Sequence, residues 1–314
     1  MNVLGVGSED VLFLEGRKRM PKASYSVTRL QRHGYVFILP TLIFFSIFLV
    51  YPMISAFRLS FFDWNLLKPK VYIGLKNFLT MVKDARTINS YVRTLHFSGI
   101  SVAAINILAF IFAIMFSSRL IRWKNIWQSL IFLPVVLSIV AVGVVWEFMY
   151  QSTGIIPVVL RKILGASPVW LTNTKAAPYA IIITYVWKSV GYYMVIYIAG
   201  LLDVPSSFYE AARIDGAGFW GQLLYITIPS LKNSIALAVV SCVIFTFGQF
   251  SIQFVITQGG PSRSTEILAL LIYRQAFELS KFGYSAAISV LFFLTMLIFS
   301  LIQLRLFKSG AVGA

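Results

Sequence analysis

The most distinctive polar segment of this sequence is EAARIDGAG at residues 210–218, and long hydrophobic runs flank it on both sides. Its alanines and glycines would let the backbone of another protein come close, because they carry little or no side chain. Its two acids, Glu210 and Asp215, would make that contact polar. The residue types and their spacing therefore indicate a docking surface for another protein.

The sequence around this segment predicts a short helix followed by a turn. Ser207 and Glu210 have the Ser-x-x-Glu spacing of a capping box, so a helix should begin there and run to about Ile214. Asp215 disfavours continuation of the helix, and Gly216 can adopt the left-handed conformation that ends one. A second amphipathic helix at the membrane surface is predicted from Phe219, Trp220, Leu223 and Leu224.

Each residue of the segment also has a purely local interpretation. Glu210 could serve only as a cap, the alanines could only favour a helix, and Asp215 could be a solvated acid that stops it. In the docking interpretation the contact residues are Glu210, Ala211, Ala212, Asp215, Gly216 and Ala217.

A polar stripe is predicted along the next hydrophobic segment, at Thr246, Gln249, Gln253 and Thr257. Spacings of three and four residues place these side chains on one narrow face of a continuous helix, and Phe250 and Phe254 flank it. Amides and hydroxyls beside aromatic rings suit a sugar, whose hydroxyls need hydrogen-bond partners and whose C–H faces stack on rings. The stripe could instead hold neighbouring helices together by hydrogen bonds.

Lys188 lies in the middle of another hydrophobic segment, about 15 Å from either end at 1.5 Å per residue. Because this depth prevents the ammonium group from reaching the membrane surface readily, Lys188 needs a partner inside the protein. A structural pairing and a substrate contact both remain open. Glu147 lies near the end of a different segment.

The sequence shows no catalytic set. His33 and His96 are isolated, and no glycine-rich phosphate loop with Lys-Ser or Lys-Thr occurs. Cys242, the only cysteine, lies in an apolar run, so an intrachain disulfide is impossible and a metal site is disfavoured. We therefore predict that the chain is not an enzyme and holds no metal or cofactor. ATP hydrolysis, if required, would belong to a separate subunit.

Composition indicates an integral membrane protein. The chain is 58% hydrophobic and 12% charged, against about 45–50% and about 25% in soluble domains. Its net charge of +16 comes from bases in tails and loops beside hydrophobic runs, which suits anionic lipid headgroups and not nucleic acid.

The predicted fold class is an all-α polytopic membrane protein with about six transmembrane helices. The predicted spans are about 34–57, 95–116, 126–149, 178–201, 232–256 and 285–306. Pro40, Pro52 and Pro134 predict kinks. The loop at 58–94 should fold as a small cap with interfacial helices.

The predicted domain organisation is a tail at 1–33, one six-span domain at 34–306 that includes a loop at about 203–231, and a tail at 307–314. Six spans place both termini on the same side of the membrane. Lys and Arg are equally numerous on the two sides, so their distribution does not by itself orient the chain.

Several motifs carry a resemblance to a known family. Glu210-Ala-Ala, three residues, Gly216, nine residues and then Ile226-x-Ile228-Pro229 resembles the signature loop of permease subunits of bacterial ABC importers. The stretches similar to the carbohydrate-uptake branch are Trp187-Lys188, Ala199-Gly200-Leu201, Thr257-x-Gly259-Gly260-Pro261 with Thr265, and Phe282-Gly283-Tyr284-x-Ala286-Ala287. The likeness covers about 126–306 and is to first permease subunits for oligosaccharides or glycerol phosphate. Two departures are Ile228, where the family usually has Leu, and Pro157, where relatives often have Asn.

The resemblance implies a set of partners. A second permease subunit completes the path as a heterodimer, two ATPase subunits bind ATP and Mg, and an extracytoplasmic binding protein delivers a carbohydrate. The chain would be a multi-pass protein of the bacterial inner membrane with both termini and the 203–231 loop in the cytoplasm. The short helix would insert into a cleft of one ATPase and transmit its closure to the spans. We call residues 203–231 the coupling loop.

The sequence thus predicts a permease subunit that forms half of the translocation path for a sugar or oligosaccharide. The predicted path residues are Thr246, Gln249, Phe250, Gln253, Phe254, Thr257 and Lys188. The alternative is an ion-coupled secondary transporter that uses Lys188 and Glu147. That class favours inverted repeats with broken helices, which the sequence does not display, and it leaves the 210–218 segment without a purpose.

Overall fold

The computed structural model describes residues 37–117, 121–167 and 169–308. Within these ranges the chain is helical apart from one two-stranded hairpin and the connecting loops, so the predicted all-α fold class is confirmed. The strands are β1 (Phe62–Asp63) and β2 (Val71–Tyr72). The helices are α1 (Phe37–Leu59), α2 (Lys76–Met81), α3 (Ala85–Ser117), α4 (Lys124–Val136), α5 (Ile139–Tyr150), α6 (Ile155–Leu164), α7 (Ala176–Leu202), α8 (Ser206–Ile214), α9 (Phe219–Ser230), α10 (Lys232–Gly248), α11 (Ser251–Thr257), α12 (Leu268–Tyr273) and α13 (Phe282–Lys308).

Four helices of the described part are long and apolar enough to cross a membrane alone, namely α1, α3, α7 and α13 over Phe282–Gln303. Two bent pairs, α4 with α5 and α9 with α10, pass the same test together, which gives up to six spans. The predicted number therefore agrees with the upper count. The predicted tail at 1–33 lies outside the described residues, and so does 309–314 of the predicted tail at 307–314.

The chain divides into two compact units, one ending at Ile54 and one beginning at Ser55. Within α1, the turn Ser46–Val50 is π-helical and is closed by the amide of Tyr51, which donates to the carbonyl of Ser46. Pro52 follows directly. Because proline lacks an amide hydrogen and crowds the carbonyl one turn earlier, the helix widens there.

The centre of the second unit is the packing of α3 against α7. Ala109 and Ala113 of α3 are fully buried there, as are Met194 and Cys242. Small residues at such an interface bring two helix backbones close, which replaces the hydrophobic driving force that is lacking between helices in a membrane. Cys242, which lies in an apolar run of the sequence, is thus a buried free cysteine of this core.

The third predicted span, 126–149, is not a single helix. α4 ends at Val136, Leu137 is extended, and the axes of α4 and α5 differ by 100°. Pro134 lies in the last turn of α4, where its missing amide and its ring weaken continuation of the helix. The kink predicted at Pro134 is therefore a complete break three residues later.

The fifth predicted span, 232–256, is also broken. α10 ends at Gly248, Gln249 adopts an extended conformation with ψ of 116°, and α11 begins at Ser251. The assumption that the polar stripe lies on one continuous helix is therefore wrong, because the chain leaves the helical conformation at Gln249. α10 is in turn bent by 68° from α9, which precedes it.

The loops of the second unit gather at two ends. The coupling-loop end comprises the C-terminal ends of α3 and α7, the start of α4 and the coupling loop, which together line one cleft. The hairpin end comprises the β1–β2 hairpin, α2, the start of α3 and the loops on either side of α12. α3 starts at Ala85, ten residues before its predicted start at 95.

Close backbone contact fixes the hairpin against α13. The amide of Asn77 in α2 donates to the carbonyls of Ser60 and Phe62, at 2.8 and 3.0 Å. Gly283 lies so close to the carbonyl of Phe62 that a Cβ atom there would collide with it. The hairpin and α2 are the folded elements of the predicted 58–94 loop, whose residues 85–94 belong instead to α3.

Candidate functional site

α8 presents the predicted contact segment at the surface. Four of the six predicted contact residues are exposed, while Ala212 and Ala217 are half-buried. Ile214, at the end of α8, is 87% exposed, and Phe208 on the same helix is also exposed. Phe208 and Ile214 thus add exposed apolar area beside the polar contact segment.

The end of α8 is a complete Schellman motif. The amide of Ala217 donates to the carbonyl of Ala212 at 2.8 Å, and that of Gly216 donates to Arg213 at 3.1 Å. Gly216 has φ of +79°, in the left-handed region. The predicted helix end at Ile214 and the predicted conformation of Gly216 are thus both observed.

The predicted capping box is not formed. α8 begins at Ser206, one residue before Ser207, with Pro205 at the N-cap and no side-chain cap hydrogen bond. Ser207 is therefore inside the first turn, where its hydroxyl cannot act as the cap. Glu210 is exposed and forms no hydrogen bond or salt bridge within the described ranges. Its carboxylate is free to meet a partner.

Hydrogen bonds hold α8 and α9 in a fixed arrangement. The hydroxyls of Tyr209 and Thr227 lie 3.1 Å apart, and the amide nitrogen of Gln222 donates to the carbonyl of Ala217 at 2.8 Å. Thr227 also donates to the carbonyl of Gln222 at 3.2 Å. The predicted second helix is observed as α9, and Trp220 on it is exposed.

The coupling loop connects α7 to α10, and these two helices are in direct contact beside it. A Cβ atom on Gly200, in the last turn of α7, would collide with the Oγ of Ser234 in α10 and approach a methyl of Leu231 to 2.7 Å. This contact leaves no space for a side chain, so the backbones of α7 and α10 lie close together beside the coupling loop.

The members of the predicted polar stripe separate into different surroundings. Thr246 is buried in the core, where its hydroxyl donates to that of Tyr185 at 3.4 Å. Gln249, in the amide orientation that satisfies its neighbours, accepts from the amides of Ser251 and Ile252 at 3.2 Å and so caps α11. Both side chains thus have internal partners.

The other stripe members lie on or next to α11. Phe250 and Phe254 both contact Tyr273, with ring centroids 5.7 and 5.5 Å away. The Thr257 hydroxyl donates to the carbonyl of Gln253 at 3.0 Å and lies 2.7 Å from that of Thr265. The structure therefore places Phe250, Gln253, Phe254 and Thr257 on or next to α11, and Thr246 on α10.

Gln253 is unusual among these residues. Its side chain is 1% exposed, yet neither its Oε1 nor its Nε2 has a hydrogen-bond partner in the described part of the chain. A buried polar group without a partner costs about 1–3 kcal/mol. Gln253 lines a pocket of 200 Å³ at the hairpin end, together with residues of α3 and α7.

Lys188 has a structural partner. Its Nζ donates to the carbonyls of Pro134 and Val135 at 3.3 and 3.1 Å. These carbonyls belong to the last turn of α4, where that of Pro134 also accepts from the amide of Leu137 at 3.2 Å, and a cation there is favoured by the helix dipole. Lys188 and Glu147 belong to no salt bridge in the described ranges.

A buried ion cluster that sequence reasoning missed lies at the hairpin end. The Glu266 carboxylate, with a side-chain exposure of 0%, accepts from Arg86 Nε and Nη2 at 2.8 and 2.7 Å and from Arg274 Nη1 at 2.8 Å. Burial raises the pKa of Glu266, but the hydrogen bonds from both arginines outweigh it and hold the pKa below its usual value. No local motif signals this cluster, since Arg86 and Glu266 are far apart in sequence.

Asp84 anchors the start of α3 in the same region. Its carboxylate accepts from the amide of Arg86 at 2.9 Å and from the hydroxyls of Thr87 and Tyr284 at 2.8 Å each. Burial raises the pKa of Asp84, and these hydrogen bonds lower it below its ordinary value. An aspartate just before the first residues of a helical pattern is a cap signal that could have located the start of α3.

Across the described ranges, no three His, Cys, Asp or Glu side chains are grouped closely enough to hold a metal ion. His96 instead contacts the ring of Tyr179 edge-on, with centroids 5.9 Å apart. His33 lies outside the described residues.

Comparisons with known proteins agree with this architecture. Residues 105–309 match the family described as the binding-protein-dependent transport system inner membrane component. The chain is 32% identical over 282 residues to the probable ABC transporter permease protein YurN of Bacillus subtilis, covering 88% of this chain and 96% of YurN. It is 33% identical over 275 residues to the trehalose/maltose transport system permease protein MalF of Thermococcus litoralis, covering 87% and 92%.

A solved structure has the same fold. It is a bacterial ABC transporter involved in the import of the acidic polysaccharide alginate, and one of its chains aligns with a TM-score of 0.79 at 23% identity. The alignment covers 91% of this chain and 98% of the other.

Proposed function

The chain belongs to the family of inner membrane components of binding-protein-dependent transport systems, and from this premise we propose that it forms half of the translocation path of an ATP-driven importer for a sugar or oligosaccharide. The similarity to a trehalose/maltose permease supports the carbohydrate class. The polar and aromatic side chains around α11 supply the hydrogen-bonding and stacking surfaces that a sugar requires.

The observation that carries this proposal is the geometry of α8. It is an exposed helix with a rigid Schellman end and a free Glu210 carboxylate, and it is connected to α7 and, through α9, to α10. These properties suit a helix that inserts into a cleft of an ATPase subunit. The contact residues are Glu210, Ala211, Ala212, Asp215, Gly216 and Ala217.

In this mechanism ATP binding closes the pair of ATPase subunits and displaces the cleft that holds α8. Because Gly200 and Ser234 leave no gap between α7 and α10, the displacement rotates both helices as one body. The path then changes from open toward the cytoplasm to open toward the outside. ATP and Mg belong to the ATPase, and this chain supplies no catalytic residue.

Among the predicted path residues, Phe250, Gln253 and Phe254 are the ones we assign to substrate contact. Thr246, Gln249, Thr257 and Lys188 have internal partners that account for their polarity, and they support the helices around the path. The second half of the path comes from a second permease subunit. The two chains are surrounded by the lipid of the bacterial inner membrane.

The proposal includes an orientation. The coupling-loop end and both termini face the cytoplasm, where the ATPase subunits are. The hairpin end faces outward, where the binding protein delivers the carbohydrate.

Gentle solubilisation of the native membrane, followed by capture of this chain, tests the proposal. We expect an ATPase subunit and a second permease to be captured with it, and ATP hydrolysis to rise when a cognate glycan and its binding protein are added. A well-folded chain captured without any ATPase would contradict the proposal. Uptake driven by a proton gradient without ATP would favour the ion-coupled alternative.

A further inference from the structure

We propose that the pocket at the hairpin end, between α3, α7, α11 and the loop before α12, binds an acidic sugar unit through Arg93 and Gln253. This inference rests on the proposed function, since it names a substrate class for the same path.

The pocket is small and mixed in character. Its volume of 200 Å³ is below the roughly 300–1,000 Å³ of drug-sized sites, so it suits one sugar ring and not a whole oligosaccharide. The residues that give it its chemistry are Arg93, His96, Phe97, Gln253, Ser264 and Thr265. The lining thus combines a guanidinium, an amide and two hydroxyls with the aromatic ring of Phe97.

Two of these polar groups lack partners. Gln253 is almost completely buried and its amide forms no hydrogen bond within the described ranges. Arg93 is half-buried and belongs to none of the hydrogen bonds or salt bridges found there. Because buried polar groups are normally paired, a guanidinium and an amide left open on one pocket indicate a ligand that pairs with both.

The charge around Arg93 selects an anion. No acidic residue lines the pocket. Glu266 lies within electrostatic range of Arg93 but is already bound by Arg86 and Arg274, and Arg263 adds a further positive charge. The field at the pocket is therefore positive, and a neutral sugar would leave the Arg93 guanidinium without a counter-ion.

The geometry of the donors favours a carboxylate on a sugar ring. Arginine binds a carboxylate through two parallel hydrogen bonds, and the Gln253 amide can both donate to and accept from ring hydroxyls. A phosphate group usually gathers several donors, such as the amides of a helix N-terminus. The pocket offers one guanidinium and no helix N-terminus other than the start of α7.

The test uses the complete transporter, with both permeases and the ATPase subunits, reconstituted in lipid nanodiscs. The probes are uronate trisaccharides of the gluco, galacto and manno series, each paired with its methyl ester, and glycerol 3-phosphate. Each ester removes the carboxylate charge and adds one methyl group. We expect at least one acid to bind tenfold or more tightly than its ester, and glycerol 3-phosphate to bind more weakly than that acid.

Point variants test whether the preference for the acid over its ester arises in this pocket. Arg93→Gln should abolish the difference between acid and ester, whereas Arg263→Gln, which removes the same charge from an exposed neighbour, should preserve it. Arg93→Lys keeps the charge and should preserve part of the preference, which also separates a binding defect from misfolding. Gln253→Ala should weaken binding of acid and ester alike, and should reduce transport more than it reduces assembly.

The inference is overturned if every ester binds as well as its acid, if Arg93→Gln and Arg263→Gln have equal effects, or if glycerol 3-phosphate binds most tightly. ATP-driven uptake of a neutral sugar that is unchanged in Arg93→Gln would also overturn it while leaving the proposed function intact. Absence of ATP-driven uptake for every sugar would instead contradict the proposed function.

Discussion

Arg86 and Glu266 are 180 residues apart in the chain, and their side chains form a two-bond ion pair at 2.8 and 2.7 Å. The pair joins the first turn of α3 to the loop before α12. Arg274 completes the cluster at 2.8 Å. The Glu266 side chain is fully buried, and these contacts compensate its charge.

Glu266→Gln should destabilise the protein strongly. Removing one partner of a buried ion pair costs about 3–5 kcal/mol, because the remaining charges stay buried without compensation. The measurement is the unfolding temperature in detergent. The matched control is Glu278→Gln, since Glu278 is 47% exposed and lies 3.6 Å from Arg274; its effect should be about 1 kcal/mol or less. Equal shifts for the two variants would contradict the structural role of Glu266.

The same cluster makes stability depend on pH. The folded-state pKa of Glu266 is held below its ordinary value of 4.5, so the unfolded state takes up protons first as the pH falls. The contribution of Glu266 is therefore complete above pH 4.5 and is lost as the pH falls through the folded-state pKa. We expect the stability difference between wild type and Glu266→Gln to be constant near neutral pH and to shrink in acid. A difference that grows below pH 4.5 would contradict this assignment.

Gly216→Pro should uncouple ATP hydrolysis from transport while the spans still insert. Proline cannot adopt φ of +79°, and it removes the amide that donates to Arg213 at 3.1 Å. Uptake should fall tenfold or more, and chain abundance in the membrane should not. Gly221→Ala is the control, because a Cβ there meets Ala217 at an ordinary 3.5 Å. Normal uptake by Gly216→Pro would count against the docking role of α8.

Glu210→Lys should have the same functional effect for a different reason. Glu210 is exposed and its carboxylate has no partner within the described ranges, so reversing its charge should leave the unfolding temperature unchanged. Capture of the ATPase subunit should nevertheless drop several-fold, because the polar contact becomes repulsive or unpaired. Unchanged capture and uptake would return Glu210 to the role of a solvated side chain.

Lys188→Met should lower stability without changing the energy source of transport. The variant leaves the carbonyls of Pro134 and Val135 without the ammonium that now binds them, so unfolding should occur at a lower temperature. Uptake should still require ATP and should be insensitive to a collapsed proton gradient. Proton-dependent uptake by the wild type that is lost in Lys188→Met, with unchanged stability, would support the ion-coupled transporter.

The sequence was informative where function depends on local residue patterns. The helix end at Ile214 and the turn at Gly216 follow from the chemistry of a few adjacent residues, and both were predicted. The predicted capping box was wrong, because the N-cap is Pro205, two residues before Ser207, which lies inside the first turn. A match to spacing alone did not determine where the helix begins.

Features that depend on distant residues could not be predicted. Gln249 looks helical by periodicity, but it leaves the helix after Gly248 and caps the next one. The partners of Glu266 come from α3 and from the residue after α12, which no spacing rule connects. Hydropathy identifies an apolar segment. It does not show where the helix can break, because the backbone groups freed by a break must find hydrogen-bond partners on neighbouring helices.

α7 differs from the broken spans beside it, since it runs without interruption from Ala176 to Leu202. At 1.5 Å per residue it is about 40 Å long. Its first turns line the small pocket at the hairpin end, and Gly200 in its last turn meets Ser234 beside the coupling loop. Because this helix is unbroken, a tilt of α7 about its pocket end would displace its coupling-loop end, and the displacement would grow with the length of the helix.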